Sequence, residues 1–316
     1  MINFSPKLDD DVHEFFMVQL VVDSGCDLPD EFLRKYAIPV LPHTVSVGKD
    51  TFGDQRNPAQ MAHFYTLSLV DRSRQIVSGP AESGEIGAIL QRLVARGSKD
   101  IVVQTINGSN SPTYQNAQTA ASKLLAESSG DVEIHTVDSH TLFSGQGLLA
   151  LYTLSLIQRG LSGAEIKDKA EDFGRRIQAF AAIKDVYYVR ERGRLKNENS
   201  ISWLKAMAAQ TLDLHPILSM KYSGSSVTET VRGFDQCTET LFALAAERIR
   251  AGDLQVPMIA VSIAGRLEDL SRTPGFNALE KLAQEKGVKI YRSVMSLSGG
   301  INLGPGTIGM AFAARD

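Results

Sequence analysis

Residues 101–106, Ile-Val-Val-Gln-Thr-Ile, lead into Asn107-Gly108-Ser109-Asn110 and then Ser111-Pro112-Thr113-Tyr114. The reading of this stretch decides the fold. A short run of β-branched residues without alternation is a strand buried on both faces. The polar loop ends it. Ser111 is a favoured N-cap and Pro112 a favoured first helical residue, so a helix opens there and runs to about Ser128. Buried strand, short loop and helix form one step of a parallel sheet covered by helices.

The same step recurs on either side. Upstream, Val18-Gln19-Leu20-Val21-Val22 is a buried strand that ends in Asp23-Ser24-Gly25-Cys26-Asp27, with a helix from about Pro29 to Tyr36. Ile38–Leu41 and Thr44–Val47 are short strand pieces, and helical periodicity returns over Gln60–Leu69 and Glu85–Arg96. Downstream, Val132–Val137 is a third strand, ends in Asp138-Ser139, and precedes a helix over Gly145–Arg159. Val22-Asp23-Ser24 and Val137-Asp138-Ser139 echo each other at strand ends.

The second half has a different character. Asp185–Val189 reads as a strand, and His215–Tyr222 with Val227–Gly233 as a hairpin around 223–226. A helix over Phe234–Ala251, a strand at Met258–Ile263, a helix at Asn277–Lys286 and a strand at Lys289–Leu297 follow. Gly299–Gly306 reads as a tight turn before a last strand, Thr307–Ala313. The expected organisation is an arm over 1–17 and two α/β domains, 18–175 and 176–316, with a ligand cleft between them.

Composition narrows the function classes. The chain has 316 residues, 43% hydrophobic and 22% charged, with a net charge of −3. Those values exclude a disordered chain and give no global basic surplus for nucleic acid. Cys26 and Cys237 are too few for a disulfide framework or a four-thiolate zinc site and suit a reducing cytoplasm. No apolar run is long enough to cross a bilayer. The first residues, with Asp9-Asp10-Asp11, do not form a signal peptide.

Ligands of open α/β sheets sit beyond the carboxyl ends of the strands. Asp23-Ser24, Asn107–Thr113 and Asp138-Ser139 all fall there. The hydroxyls of Ser109, Ser111 and Thr113 surround a helix N-terminus, where unpaired N–H groups favour an anion. Ser111 reads equally as a cap that stabilises only its own helix. Asp23 and Asp138 read as strand-end turns that accept from nearby backbone N–H groups. The six histidines are scattered, and no cluster of His and carboxylates at short spacing marks a metal centre. No Gly-x-Ser-x-Gly elbow is present, and a hydrolase would have to use Ser111 or Ser139 with His140. Gly299–Gly306 lacks the Lys-Ser/Thr ending of a P-loop. Arg190, Arg192, Arg194 and Lys196 form either a solvated edge or an anion-docking patch.

In order along the chain these motifs resemble the DegV family of bacterial fatty-acid-binding proteins, from about Val18 to Ala313. Asp23-Ser24 with Asp27-Leu28-Pro29, then Asp54, look like the family's opening motifs. Val77-Ser78-Gly79-Pro80 stands for its Thr-Ser-Gln-Pro turn, and Asn107–Tyr114 for its Ser-Ser-x-Leu-Ser-Gly-Thr-Tyr. Val137-Asp138-Ser139 with Ser144–Gly147, Tyr188–Leu195, Pro216–Leu218 with Arg232-Gly233, and Gly304-Pro305-Gly306 complete the series.

The resemblance implies one long-chain fatty acid buried between two α/β domains, and no cofactor. It assigns the carboxylate to Ser111 and to position 77, which is Val77 where the family has Thr; Ser78, Asn302 and Ser24 line the same cleft. Gly79 replaces the family's Gln, Pro112 its Gly and Asn302 its His. It also implies presentation of the fatty acid to a separate kinase through Arg194 and Arg232, with Glu191 and Arg192 replacing a Lys and a Gly beside them. The alternatives are a small-molecule hydrolase using a cleft serine and a regulatory scaffold without a ligand.

Overall fold

A computed structural model describes residues 17–66, 72, 76–128, 130–195, 213–222 and 224–315. Strands β1 (Val18–Asp23), β2 (Val40–Leu41), β6 (Asp100–Thr105) and β7 (Glu133–Asp138) form a parallel sheet in the order β2-β1-β6-β7. Its side chains divide with the period of two that a strand imposes. Val21, Ile101 and Val103 pack under α3 (Ser83–Ala95) and α4 (Thr113–Glu127). Leu20, Val22 and Val102 face the opposite way, into the main core. The chain runs from β1 outward to β2 on one side and to β6 and β7 on the other. The strand order therefore reverses between β1 and β6, and a crevice opens at their carboxyl ends.

A second sheet, in the order β10-β9-β8-β13-β11-β12, uses β8 (Ile177–Ala182), β9 (Leu214–Lys221), β10 (Gly224–Arg232), β11 (Met258–Ile263), β12 (Lys289–Val294) and β13 (Ile308–Ala313). Only β11 and β12 pair in parallel. Helices α8 (Phe234–Ala251) and α9 (Phe276–Glu285) cover one face through Leu241, Phe242, Phe276 and Leu279. The other face meets α5 (Ser144–Ile157), which also touches β1 and so lies between the two sheets. Nearly every residue of α5 is buried, as a helix that is apolar all round requires.

A third sheet, β4-β3-β5, is built from β3 (His43–Val47), β4 (Asp50–Asp54) and β5 (Ile76–Gly79). Its Val45 joins Met61 and Phe64 of α2 (Pro58–Thr66) and Leu297 and Ile301 of α10 (Leu297–Leu303) in a separate apolar cluster. The C-terminal α10 therefore docks on a sheet from the N-terminal half, and the mixed α/β architecture matches the sequence expectation.

Several elements differ from that expectation. Asp185–Val189 is not a strand: α7 covers Val186–Leu195, and Asp185 Oδ1 accepts from Tyr187 N at 3.0 Å, a local cap that outweighs the strand propensity of Val186, Tyr187 and Tyr188. Gly299 and Gly300 belong to α10, not a turn. Ser296 caps that helix by accepting from Gly299 N at 3.1 Å. Gly300 is required there because a Cβ would overlap the Tyr65 ring. The turn is confined to Gly304 and Gly306, with φ of 93° and 76°. Positions 76–79 are a strand, not a turn. Helix α6 (Gly163–Gly174), absent from the sequence reading, opens with a Ser162–Glu165 capping box, and residues 175 and 176 lie between it and β8. The expected arm falls on residues 1–16, outside the described residues, apart from Met17.

Candidate functional site

The site grows from the end of β6. Asp23, at the end of β1, accepts from Ile106 N at 2.6 Å and from Gly25 N at 2.9 Å. Asp138, at the end of β7, accepts from Gly108 N at 3.2 Å and from His140 N at 2.9 Å. Each aspartate closes its own turn and holds the loop that leaves the central strand, one from either side. This is the physical content of the sequence echo at 22–24 and 137–139. Gln146 of α5 gives Asp23 a further donor at 3.1 Å.

The loop delivers Ser111 to the start of α4. Ser111 Oγ accepts from Thr113 N at 3.3 Å, while Pro112, with φ −66°, holds the N-cap position that the sequence reading assigns to Ser111, and its carbonyl accepts the first helical bond from Asn116 N. Ser111 Oγ also lies 2.9 Å from Thr113 Oγ1. Thr113 Oγ1 contacts His43 Nε2 at 3.3 Å, and the other ring nitrogen, Nδ1, lies 3.4 Å from Ser298 Oγ. The imidazole thus links the N-terminus of α4 to the first turn of α10. Its Nε2 is 3.7 Å from Asp23 Oδ2. Burial pushes the His43 pKa down, but the charge and hydrogen bond of Asp23, with Asp54 behind them, outweigh it and hold the ring above its ordinary value.

The chain of contacts ends on Asn302, whose Nδ2 donates to Ser78 Oγ at 3.0 Å and to Ser298 O at 2.6 Å. Asn302 Oδ1 is buried and has no hydrogen-bond partner among the described residues. Ser24 Oγ accepts from His43 N at 2.9 Å and fixes the strand that carries the ring. Ser24, Ser78, Ser111 and Asn302 thus converge on His43 and Ser298. Val77 does not join them. It lies on the face of β5 opposite Ser78 and is 41% exposed. Gly79 leaves room for Thr44 on the neighbouring strand, where a Cβ would overlap the Thr44 hydroxyl.

A second buried cluster shares the first turn of α10. Asp27 Oδ1 accepts from Arg56 Nη1 at 3.3 Å and from Ser296 N at 2.8 Å. Asp54 accepts from Arg56 N and Leu297 N, both at 3.0 Å. Arg56 Nη2 donates to Leu28 O at 3.3 Å and Val294 O at 3.0 Å. Arg56 holds this position at φ 53°, an unusual conformation for a side-chain-bearing residue. Burial raises the Asp27 pKa to about 6 against the pull of Arg56, and raises that of Asp54 for the same reason. Burial also pushes the Cys26 thiol up, which makes it a packing residue and not a nucleophile.

Ser139 and His140 are not arranged for hydrolysis. Ser139 Oγ donates to Thr141 O at 3.1 Å, while His140 pairs with Asp138 at 3.5 Å and packs edge-on against Tyr222. Arg194 is exposed on α7 and pairs with Glu191, and Arg232 is exposed at the end of β10. Lys196 lies outside the described residues. His43, Thr113 and Ser298 were not singled out from the sequence as a group. The one available signal was a titratable ring between Leu41 and Val45 in an otherwise apolar stretch.

Residues 17–315 match the sequence pattern of an uncharacterised protein family, the DegV family. A DegV domain-containing protein of Xanthomonas campestris pv. campestris is 30% identical over 308 residues, 94% of this chain and 98% of the relative. Among solved structures, a stearic acid-binding protein of Eubacterium ventriosum superposes with a TM-score of 0.76 at 19% identity, over 94% of this chain and 98% of that one. DegV of Bacillus subtilis, a fatty acid binding protein, gives 0.74 at 20% identity, over 94% and 99%.

Proposed function

The chain belongs to the DegV family, and from that premise we propose that it binds one long-chain fatty acid with its carboxylate at the His43–Ser111–Asn302 cluster. The observation that carries this reading is the excess of donors there. Ser78 Oγ accepts from Asn302, which leaves its own proton to donate. Ser111, Thr113 and Ser298 add hydroxyls, α4 adds its N-terminal field, and His43 adds a ring held toward its cationic form. A buried carboxylate needs such donors, because its unpaired burial is costly.

In this reading the acyl tail enters the buried apolar cluster beside them, parting side chains that pack on one another in this structure. Val45, Met61, Phe64, Leu297 and Ile301 border Ser78 and Asn302 across the contact of β3 and β5 with α10. Each methylene buried there gains about 0.8 kcal/mol. That the Eubacterium ventriosum protein binds stearic acid and the Bacillus subtilis protein a fatty acid supports a fatty acid as the class of ligand. In this reading the protein is a carrier without chemistry of its own, working in the cytoplasm and handing the fatty acid to a separate kinase. The exposed Arg194 and Arg232 supply cationic contacts on its surface for that partner.

Native mass spectrometry of the chain purified from bacteria tests the reading. A retained mass equal to one fatty acid, lost on delipidation and regained with palmitate, is the expected result. Turnover of simple esters would replace the carrier by a hydrolase, and a protein indifferent to palmitate would leave the scaffold reading.

A further inference from the structure

The far end of the parallel sheet holds a different cluster. Asp100 opens β6 and Glu133 opens β7, and the two are direct partners in the β6–β7 register. His135 follows Glu133 by two residues and therefore shares its face. His135 Nε2 lies 3.2 Å from Glu133 Oε2 and 3.5 Å from Asp100 Oδ1. One ligand atom from each of the three residues lies within 4.8 Å of the others.

Like charges directly opposite on neighbouring strands destabilise a sheet. Here the carboxylates of Asp100 and Glu133 stand at partnered positions of the β6–β7 ladder. Asp100 Oδ1 is buried and accepts no hydrogen bond among the described residues. Its other oxygen does have a partner: Asp100 Oδ2 accepts from Gly163 N at 2.7 Å. That bond orients the carboxylate and leaves Oδ1 aimed at His135 Nε2. Gly163 also permits the close approach of α6, because a Cβ there would overlap both Asp100 and the His135 ring. The position of the buried oxygen is thus set by a hydrogen bond behind it, as in the outer shell of metal ligands.

We propose that Asp100, Glu133 and His135 form a binding site for a divalent first-row transition cation, with zinc as the representative ion. One imidazole and two carboxylates suit zinc better than calcium or magnesium, which take oxygen ligands alone. Bonds of 2.0–2.1 Å in a tetrahedral shell place neighbouring ligand atoms about 3.3 Å apart. The two His135 distances straddle that value. Glu133, whose side chain is 67% exposed, is free to close the remaining separation from Asp100. Water takes the fourth position, as in three-ligand zinc sites. The ion would join the starts of β6 and β7 beneath α6, at the opposite end of the strands from the carboxylate cluster. The sequence alone shows only Glu133-x-His135, and the strand register brings in Asp100 from 33 residues away.

Calorimetric titration of the full chain with zinc chloride tests this site. We expect one equivalent bound, a rise in the melting temperature, and a zinc absorption-edge spectrum with nitrogen and oxygen neighbours only. His135→Gln and Glu133→Gln should each weaken binding at least tenfold, whereas His215→Gln should not. Glu133 is exposed, so Glu133→Gln keeps the fold even if the change at His135 disturbs it. Zinc affinity unchanged in both site variants, sulfur in the first shell, or tighter binding of calcium than zinc would each overturn the proposal.

Discussion

Two buried polar clusters meet at the first turn of α10 and differ in what balances them. In the Asp27–Arg56–Asp54 cluster, the carboxylates are matched by a guanidinium and by backbone N–H groups, and the guanidinium also caps two carbonyls. In the His43 cluster, the carboxylate that contacts the ring among the described residues is Asp23, which already holds Ile106 N, Gly25 N and Gln146 Nε2. The hydroxyls and imidazole around it supply the spare donors, while the Asn302 amide spends both N–H groups on Ser78 and Ser298. The first cluster fastens the N-terminal half to α10, although Asp27 Oδ2 and Arg56 Nε are buried without a hydrogen-bond partner among the described residues, while the second is the one we propose an anion completes. Ser296 belongs to both: its N–H binds Asp27, and its hydroxyl lies 3.3 Å from Ser298.

The largest expected effect is on the Asp27–Arg56–Asp54 cluster. Arg56→Met leaves two buried carboxylates without their cation, and a loss of about 3–5 kcal/mol in denaturant unfolding is expected. A variant that kept its stability and lost fatty-acid affinity would reverse the roles of the two clusters.

Next is the pH dependence of the same cluster. The Asp27 pKa is raised from 3.8 to about 6 in the folded chain. The folded state therefore keeps a proton that the unfolded state releases between those values. This group's contribution falls as pH rises from about 4 to about 6 and is flat above. Asp27→Asn removes that slope, so its stability relative to wild type should rise over the same window by on the order of 2–3 kcal/mol. Urea melts at pH 4.5 and 7 measure it, and a relative stability that falls over this window would contradict the assignment.

The donor-rich cluster responds in binding. His43 is held above its ordinary pKa, so its charge, and the stability it contributes with Asp23, are complete below pH 6.5 and are lost as pH rises through the folded value. Affinity for a carboxylate should fall over the same rise. His43→Gln should lower the low-pH affinity by about 2 kcal/mol and flatten the profile. Calorimetry with palmitate across pH reads both, and a profile that stays steep in the variant would place the titrating group elsewhere.

The smallest effects separate neighbours on one rim. Ser111→Gly leaves the Pro112 N-cap in place but loses the hydroxyl, and should weaken palmitate binding by about 1.5 kcal/mol. Val77→Thr adds a hydroxyl on the outer face of β5 and should change affinity by less than about 0.5 kcal/mol. A larger effect at position 77 than at 111 would show that the carboxylate lies outside the crevice.

Much of this was legible in the sequence where a local rule governs. The buried strand at 101–106, the Ser111-Pro112 helix start and the two strand-end aspartates each follow from a few adjacent residues. The Ser162–Glu165 capping box follows the same kind of local rule. The rest depends on register and long-range packing. Ser78 and Val77 look equivalent in sequence, and only the pairing of β5 with β3 sends one inward and the other out. His43 reaches Ser298 from 255 positions away. Asp27 and Arg56 become a pair only when α10 closes over them, and no propensity foretells a positive φ at an arginine. Gly299 and Gly300 misled because glycine marks a turn by its freedom and a helix contact by its small size.

The central claim is that the fatty-acid headgroup completes the donor-rich cluster, and a crystal structure of the delipidated chain reloaded with palmitate tests it most directly. The account predicts the carboxylate oxygens within hydrogen-bond distance of Ser111 and Ser78, with the tail running along Val45 and Ile301. A carboxylate at any other place, or the terminal methyl lodged against His43, would contradict it.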